Sequence, residues 1–110
     1  MMPLLHITTR AAWDQALAEG AYTTPTLDSE GFIHCSEPHQ ITRVANERFR
    51  GRTGLVLLEI EPARVRAVVR YENTEGGDEL FPHIYGPLNL DAVTRVTPFE
   101  PGEDGSFSLD

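Results

Sequence analysis

Gly31-Phe32-Ile33-His34-Cys35-Ser36-Glu37-Pro38 carries an apolar, β-prone run straight into a His, a Ser and an acid, and its Pro opens a helix. Two residues apart on a strand, His34 and Ser36 share a face, and Cys35 takes the other. The spacing predicts a strand over Phe32–Cys35. It also predicts a helix to about Arg50, with Ser36 as N-cap, Pro38 in its first turn and Gly51 as its stop. Ile41, Val44, Ala45 and Phe49 fall on one face of that helix. Backbone N–H groups at such a junction favour an anion.

Upstream, Leu4–Thr8 reads as a first strand. Thr8 or Thr9 then caps a helix to about Glu19, with Trp13, Ala16 and Leu17 on its inner face and Gly20 at its end. Tyr22-Thr23-Thr24 is β-prone and is cut short by Pro25. Downstream, Leu55–Ile60 is nearly all apolar, as expected of a central strand. Val65–Tyr71 is β-prone. Glu72 to Pro82 is a polar loop, expected to be mobile. Phe81–Pro87 follows, then a turn or short helix near Asp91 and a last strand over Val93–Phe99. The order β-α-β-β-α-β-β-β, with two short helices, is an α+β pattern, and no Gly-rich phosphate loop joins a strand to a helix.

The 110 residues make one domain, 1–110, with a tail from about 100 expected to be loosely packed. The net charge is −8, and all nine basic residues are Arg. That balance argues against a nucleic-acid partner and leaves room for a small anionic ligand held by one or two Arg. No apolar run has the length of a membrane span, and Met1-Met2-Pro3-Leu4-Leu5-His6 has no signal-peptide pattern. With a single Cys, which excludes an internal disulfide, the expected location is the cytoplasm. The sequence specifies no oligomeric state.

Four His and one Cys raise the question of a metal, but they lack ligand spacing, so no metal site is expected. His34, Ser36 and the helix start form either a plain cap or an anion seat. A nucleophilic Ser36 with His34 or His83 as base is a further alternative, although no nucleophile-elbow pattern surrounds Ser36. Phe81-Pro82-His83-Ile84-Tyr85-Gly86 reads either as a structural turn or as a pocket wall, in which Tyr85 contacts a ligand and Gly86 lets it approach. Glu72 is the best-placed acid for orienting or base duty. Gln40, in the first turn of the second helix, either faces the same site or faces solvent. The expected site therefore has His34, Glu72 and His83 as catalytic candidates, and His6, Thr8, Tyr22, Ser36, Gln40, Tyr85 and Gly86 around the ligand.

The segments LLHIT (Leu4–Thr8), EGFIHCSEPHQ (Glu30–Gln40), VANERFRG (Val44–Gly51), LVLLEI (Leu55–Ile60) and FPHIYGPLNLDAV (Phe81–Val93) together resemble the DUF952 family of small bacterial proteins, which has no established activity. That family is similar in fold to ADP-ribosyltransferases and to the catalytic half of tRNA 2′-phosphotransferases, which use NAD. The resemblance implies an ADP-ribosyltransferase-like split sheet and NAD or another ADP-ribose-like small molecule as ligand, with transferase or hydrolase chemistry. It gives His6 and Thr8 the first-strand role, with His6 on a ribose hydroxyl. It gives His34 and Ser36 the later His-x-Ser role, and sets Tyr22 or Tyr85 near the nicotinamide. The chain departs from the transferases at Ile7, where they commonly carry Gly. It also lacks a basic RNA-binding part, and only Glu72 and Glu79 are candidates for the transferase acid. The alternatives are a non-catalytic binding module for a small anion or metabolite, a serine-type hydrolase built on Ser36, and a protein that only binds a partner.

Overall fold

The computed structural model describes residues 2–74 and 76–109, so Glu75 of the expected 72–82 loop lies outside the described residues. Three small antiparallel sheets carry the fold. In the first, β1 (Leu4–Thr9) lies on the edge beside β4 (Leu55–Ile60), with β8 (Val93–Pro98) beyond it. A second sheet orders β3 (Ile33–His34), β6 (Phe81–Tyr85) and β5 (Val68–Glu72), and a third pairs β2 (Ala21–Tyr22) with β7 (Leu88–Asn89). The α+β expectation holds. Among the described residues no helix is long and apolar enough to cross a membrane.

Three α-helices form among the described residues rather than two: α1 (Arg10–Glu19), α2 (Pro25–Ser29) and α3 (Pro38–Arg48). Pro25 was expected only to stop a strand. It starts α2 instead, because its fixed φ and missing N–H suit the first helical position. Thr9 caps α1, its hydroxyl accepting from the Ala12 N–H at 3.0 Å. Trp13 and Ala16 turn inward as expected, whereas Leu17 remains 56% exposed.

Ser36 is not the N-cap of α3. Glu37 takes that place in a capping box with Gln40: the Gln40 Oε1 accepts from the Glu37 N–H at 2.9 Å. The Ser36 backbone is engaged elsewhere. It exchanges two 2.8 Å hydrogen bonds with Leu5, the isolated bridge that ties the first sheet to the second.

Strand pleating splits the core in two. Leu4, Val56, Leu58 and Ile60 face a cluster with Trp13, Tyr22, Ile33 and Ile84, while Leu5, Ile7 and Leu57 pack with Ile41, Ala45, Phe99 and Phe107. The expectation of a loose tail fails at Phe107. That residue is 3% exposed, stacks on Phe99 at 4.8 Å, and its N–H donates to the Asn46 Oδ1 at 2.7 Å. Phe107→Ala should lower the unfolding free energy by roughly 3 kcal/mol. Urea denaturation reads this as a drop in midpoint at constant slope; an unchanged midpoint would mean that the tail is not part of the core.

Candidate functional site

The cleft arises from the hydrogen-bond alternation of β1. Arg10 donates to the Gly54 carbonyl, so the even-numbered residues of β1 bond toward β4 and the odd-numbered ones point their N–H and C=O outward. Leu5 spends its outward pair on Ser36. Continuing the same antiparallel register would set Ile7 against His34, but the ladder stops after one rung. The His34 carbonyl is instead taken by the side chain of His6, whose Nδ1 lies 2.5 Å away. Among the described residues nothing bonds the Ile7 N–H, the Ile7 carbonyl or the His34 N–H.

That bond also fixes the state of His6. A carbonyl only accepts, so Nδ1 carries the proton and Nε2 accepts from the Tyr22 hydroxyl at 2.7 Å. Burial, the largest cause, pushes the His6 pKa down to about 4; the bond to the His34 carbonyl opposes this and the His34 charge adds to it. Burial likewise lifts the Tyr22 phenol to about 12, with Thr8 partly opposing. His6 and Tyr22 are thus a neutral, internally satisfied pair at ordinary pH.

A second cluster forms across β3 and β6. His34 and His83 are directly opposed in register, and their ring centroids lie 5.2 Å apart. Phe32, on the same face as His34, stacks on His83 at 4.1 Å with 16° between the planes. The His83 Nδ1 is 3.0 Å from the Glu72 Oε1, which also accepts from the Tyr85 hydroxyl. Those two bonds, Tyr85 first, hold the Glu72 carboxyl below its ordinary range. His34 is half-exposed, with its Nε2 3.1 Å from Glu30.

His6, Thr8, Tyr22, His34, Ser36 and His83 line one cavity of about 570 Å3. The residues expected to form the ligand face largely meet there, with four exceptions. Gln40 is 1% exposed and fully committed: besides the capping bond, its Nε2 donates to the Leu80 carbonyl at 2.8 Å and to Glu79 at 3.1 Å. Neither the ligand-facing nor the solvent-facing reading of Gln40 holds, because capping and loop anchoring consume its amide. Tyr85 lies behind the cavity wall, bonded to Glu72 with Arg70 over its ring, and is no stacking surface. Gly86 has φ +153, and a Cβ there would meet the Ala67 Cβ at 3.1 Å, so it serves chain packing. Glu72 also stands behind the wall and reaches the cavity through His83.

Sequence reasoning missed several elements. The open edge at Ile7 is a backbone feature without a side-chain signal. Phe32 was legible, since its i, i+2 relation to His34 puts the two rings on one face. Arg43, Arg48 and Arg52 also line the cavity. Arg43 pairs with Glu79 of the 73–80 loop, and the Arg52 guanidinium sits 5.1 Å from the Phe49 ring. The loop is held further by Asn73, which donates to the Glu79 carbonyl at 2.6 Å. Cys35 is buried, its thiol pushed up to about 12 by desolvation, and behaves as a small core residue. Among the described residues no three His, Cys, Asp or Glu side chains gather in a metal-holding group.

Comparisons place this architecture among known proteins. Residues 7–96 match the family described as "Protein of unknown function (DUF952)". The crystal structure of protein CC0527 from Caulobacter crescentus is 35% identical, with a TM-score of 0.87 over 97% of this chain and 94% of that one. Its solution NMR structure gives a TM-score of 0.79 over 96% and 91%. No curated protein matches the chain.

Two outcomes follow from the geometry. In hydrogen exchange, the Ile7 and His34 amides should exchange faster than those of Leu5, Ser36, His6 and Thr8; equal protection would mean that the ladder is closed. Because the folded state binds the His6 proton less readily than the unfolded chain, stability should rise with pH between about 4 and 6.5. The His6 share is on the order of 3 kcal/mol. It is read as the part of the pH dependence of urea unfolding that is missing in His6→Gln; parallel curves for the two proteins would contradict it.

Proposed function

The chain belongs to the DUF952 family, and from that premise we propose that it binds an NAD-type dinucleotide, or an ADP-ribose-like part of one, in the His-lined cleft. The observation that carries this reading is the open β1 edge. The unpaired N–H and C=O of Ile7 offer one donor and one acceptor side by side, the complement of a primary carboxamide. Nicotinamide carries that group. Thr8 and Ser36 supply polar atoms for ribose hydroxyls along the same cavity. Arg52 has no carboxylate partner among the described residues, and with Arg48 on the same wall it suits the phosphates. A volume of about 570 Å3 is in the range of small-molecule sites.

In this reading His6 is a positioning residue rather than a ribose ligand, since both its ring nitrogens are engaged within the protein. Tyr22 is the wall beside it. An ADP-ribosyltransferase-like split of the sheet and a cytoplasmic location, where such dinucleotides are available, belong to the same proposal. A serine-type hydrolase is less well supported: Ser36 sits in a regular bridge, and no described non-glycine residue has the positive φ of a strained nucleophile turn.

Titration with NAD, ADP-ribose, nicotinamide and inorganic phosphate tests the proposal. Trp13, whose ring centroid is 6.3 Å from that of Tyr22, should report binding by fluorescence, and the Ile7 amide should shift with NAD and nicotinamide but not with phosphate. If phosphate alone shifts the cleft, the site is a simple anion seat. If none of the four moves Ile7 or Trp13, the proposal is wrong.

A further inference from the structure

His83 is 2% exposed, yet it lines the cavity. Its Nδ1 faces the Glu72 carboxylate at 3.0 Å, so the proton of the neutral ring belongs on Nδ1 and the Nε2 lone pair is left over. No described residue bonds Nε2. Two constraints keep the ring in this orientation: the stack on Phe32 at 4.1 Å and the Tyr85 hydroxyl, which donates to the same Glu72 oxygen and holds it in place. A buried imidazole oriented by a carboxylate, with its second nitrogen open to a ligand cavity, has the arrangement of a general base.

We infer that His83 activates a water molecule in this cleft, so that the bound nicotinamide dinucleotide is hydrolysed rather than used to modify a macromolecule. The inference rests on the dinucleotide reading above. Water is favoured as acceptor because the base is almost wholly enclosed, which suits a small nucleophile better than a side chain of another protein or a nucleic-acid end. In the step, His83 Nε2 takes a proton from water and the oxygen forms a bond to the anomeric carbon of the ribose. The C–N glycosidic bond breaks with its electron pair going to the pyridinium nitrogen, so nicotinamide leaves neutral. His83 then returns its proton to solvent. The products are nicotinamide, ADP-ribose and one proton, and no oxidant or reductant is required. Glu72 is a positioning residue here, as is Tyr85 behind it.

The test incubates the 110-residue protein with NAD and follows nicotinamide and free ADP-ribose by chromatography, next to the binding titration. The wild-type protein should release both in equal amounts. His83→Gln should lose about 100-fold or more in rate while its NAD affinity stays within about threefold, the behaviour of a general base that is not a binding group. Glu72→Gln should lower the rate and also shift the His83 tautomer seen by nitrogen-15 NMR, which a merely structural carboxylate would leave alone. The tautomer of the wild-type protein is an independent check that needs no variant to fold: a proton on Nε2 of the neutral ring overturns the inference. So does NAD binding without nicotinamide release, an undiminished rate in a folded His83→Gln, or ADP-ribose found attached to protein instead of free. Those results leave the dinucleotide reading standing, whereas absence of NAD binding removes both.

Discussion

One hydrogen bond, from His6 Nδ1 to the His34 carbonyl, decides whether this protein has a cleft. Leu5 and Ser36 bring the edges of two sheets into register, and the next rung would join Ile7 to His34 and fuse the sheets. Backbone groups rarely forgo a partner inside a protein. Here the imidazole substitutes for the strand at one acceptor, and the remaining three groups are turned toward the cavity. The geometry of His6 thus converts a continuous sheet into a split one. The rest follows from that split: the cavity lies along the parted edges, with Ser36 placed beside it by the bridge to Leu5 and His83 by β6.

Three histidines of the same intrinsic chemistry acquire different states from their surroundings. His6 is held neutral by desolvation, and the His34 carbonyl fixes its remaining proton on Nδ1. His83 is oriented by a carboxylate and an aromatic face. His34, half-exposed beside Glu30, contributes its backbone to the wedge and its ring to the cavity rim. What each histidine can offer a ligand therefore depends on which of its atoms is left over.

The apolar run Leu55–Ile60 and the cap-to-glycine spans of the long helices were legible because they rest on local pattern and backbone preference. His6, His34, Ser36 and His83 were legible as one site because each ends or interrupts an apolar run. Gln40 and Ser36 show where sequence reading stops. Both residue types suit a cap, and the choice between Ser36 and Glu37 was made by a tertiary contact, the bridge to Leu5, that no local window contains. Phe107 makes the same point, since its partners Phe99 and Asn46 are far from it along the chain.

The pleat of β1 decides what Ile7 contributes on each side of the strand. Successive side chains leave a strand on opposite faces, so the Ile7 side chain points away from the His6 face and packs beside Leu5, Ile41 and Ala45 in the second core cluster. What Ile7 presents at the parted sheet edge is its peptide N–H and C=O, which any residue but proline supplies in full. A β-branched side chain also holds that edge extended. Isoleucine at this position therefore keeps the donor–acceptor pair of the open edge and adds apolar contact in the second core cluster.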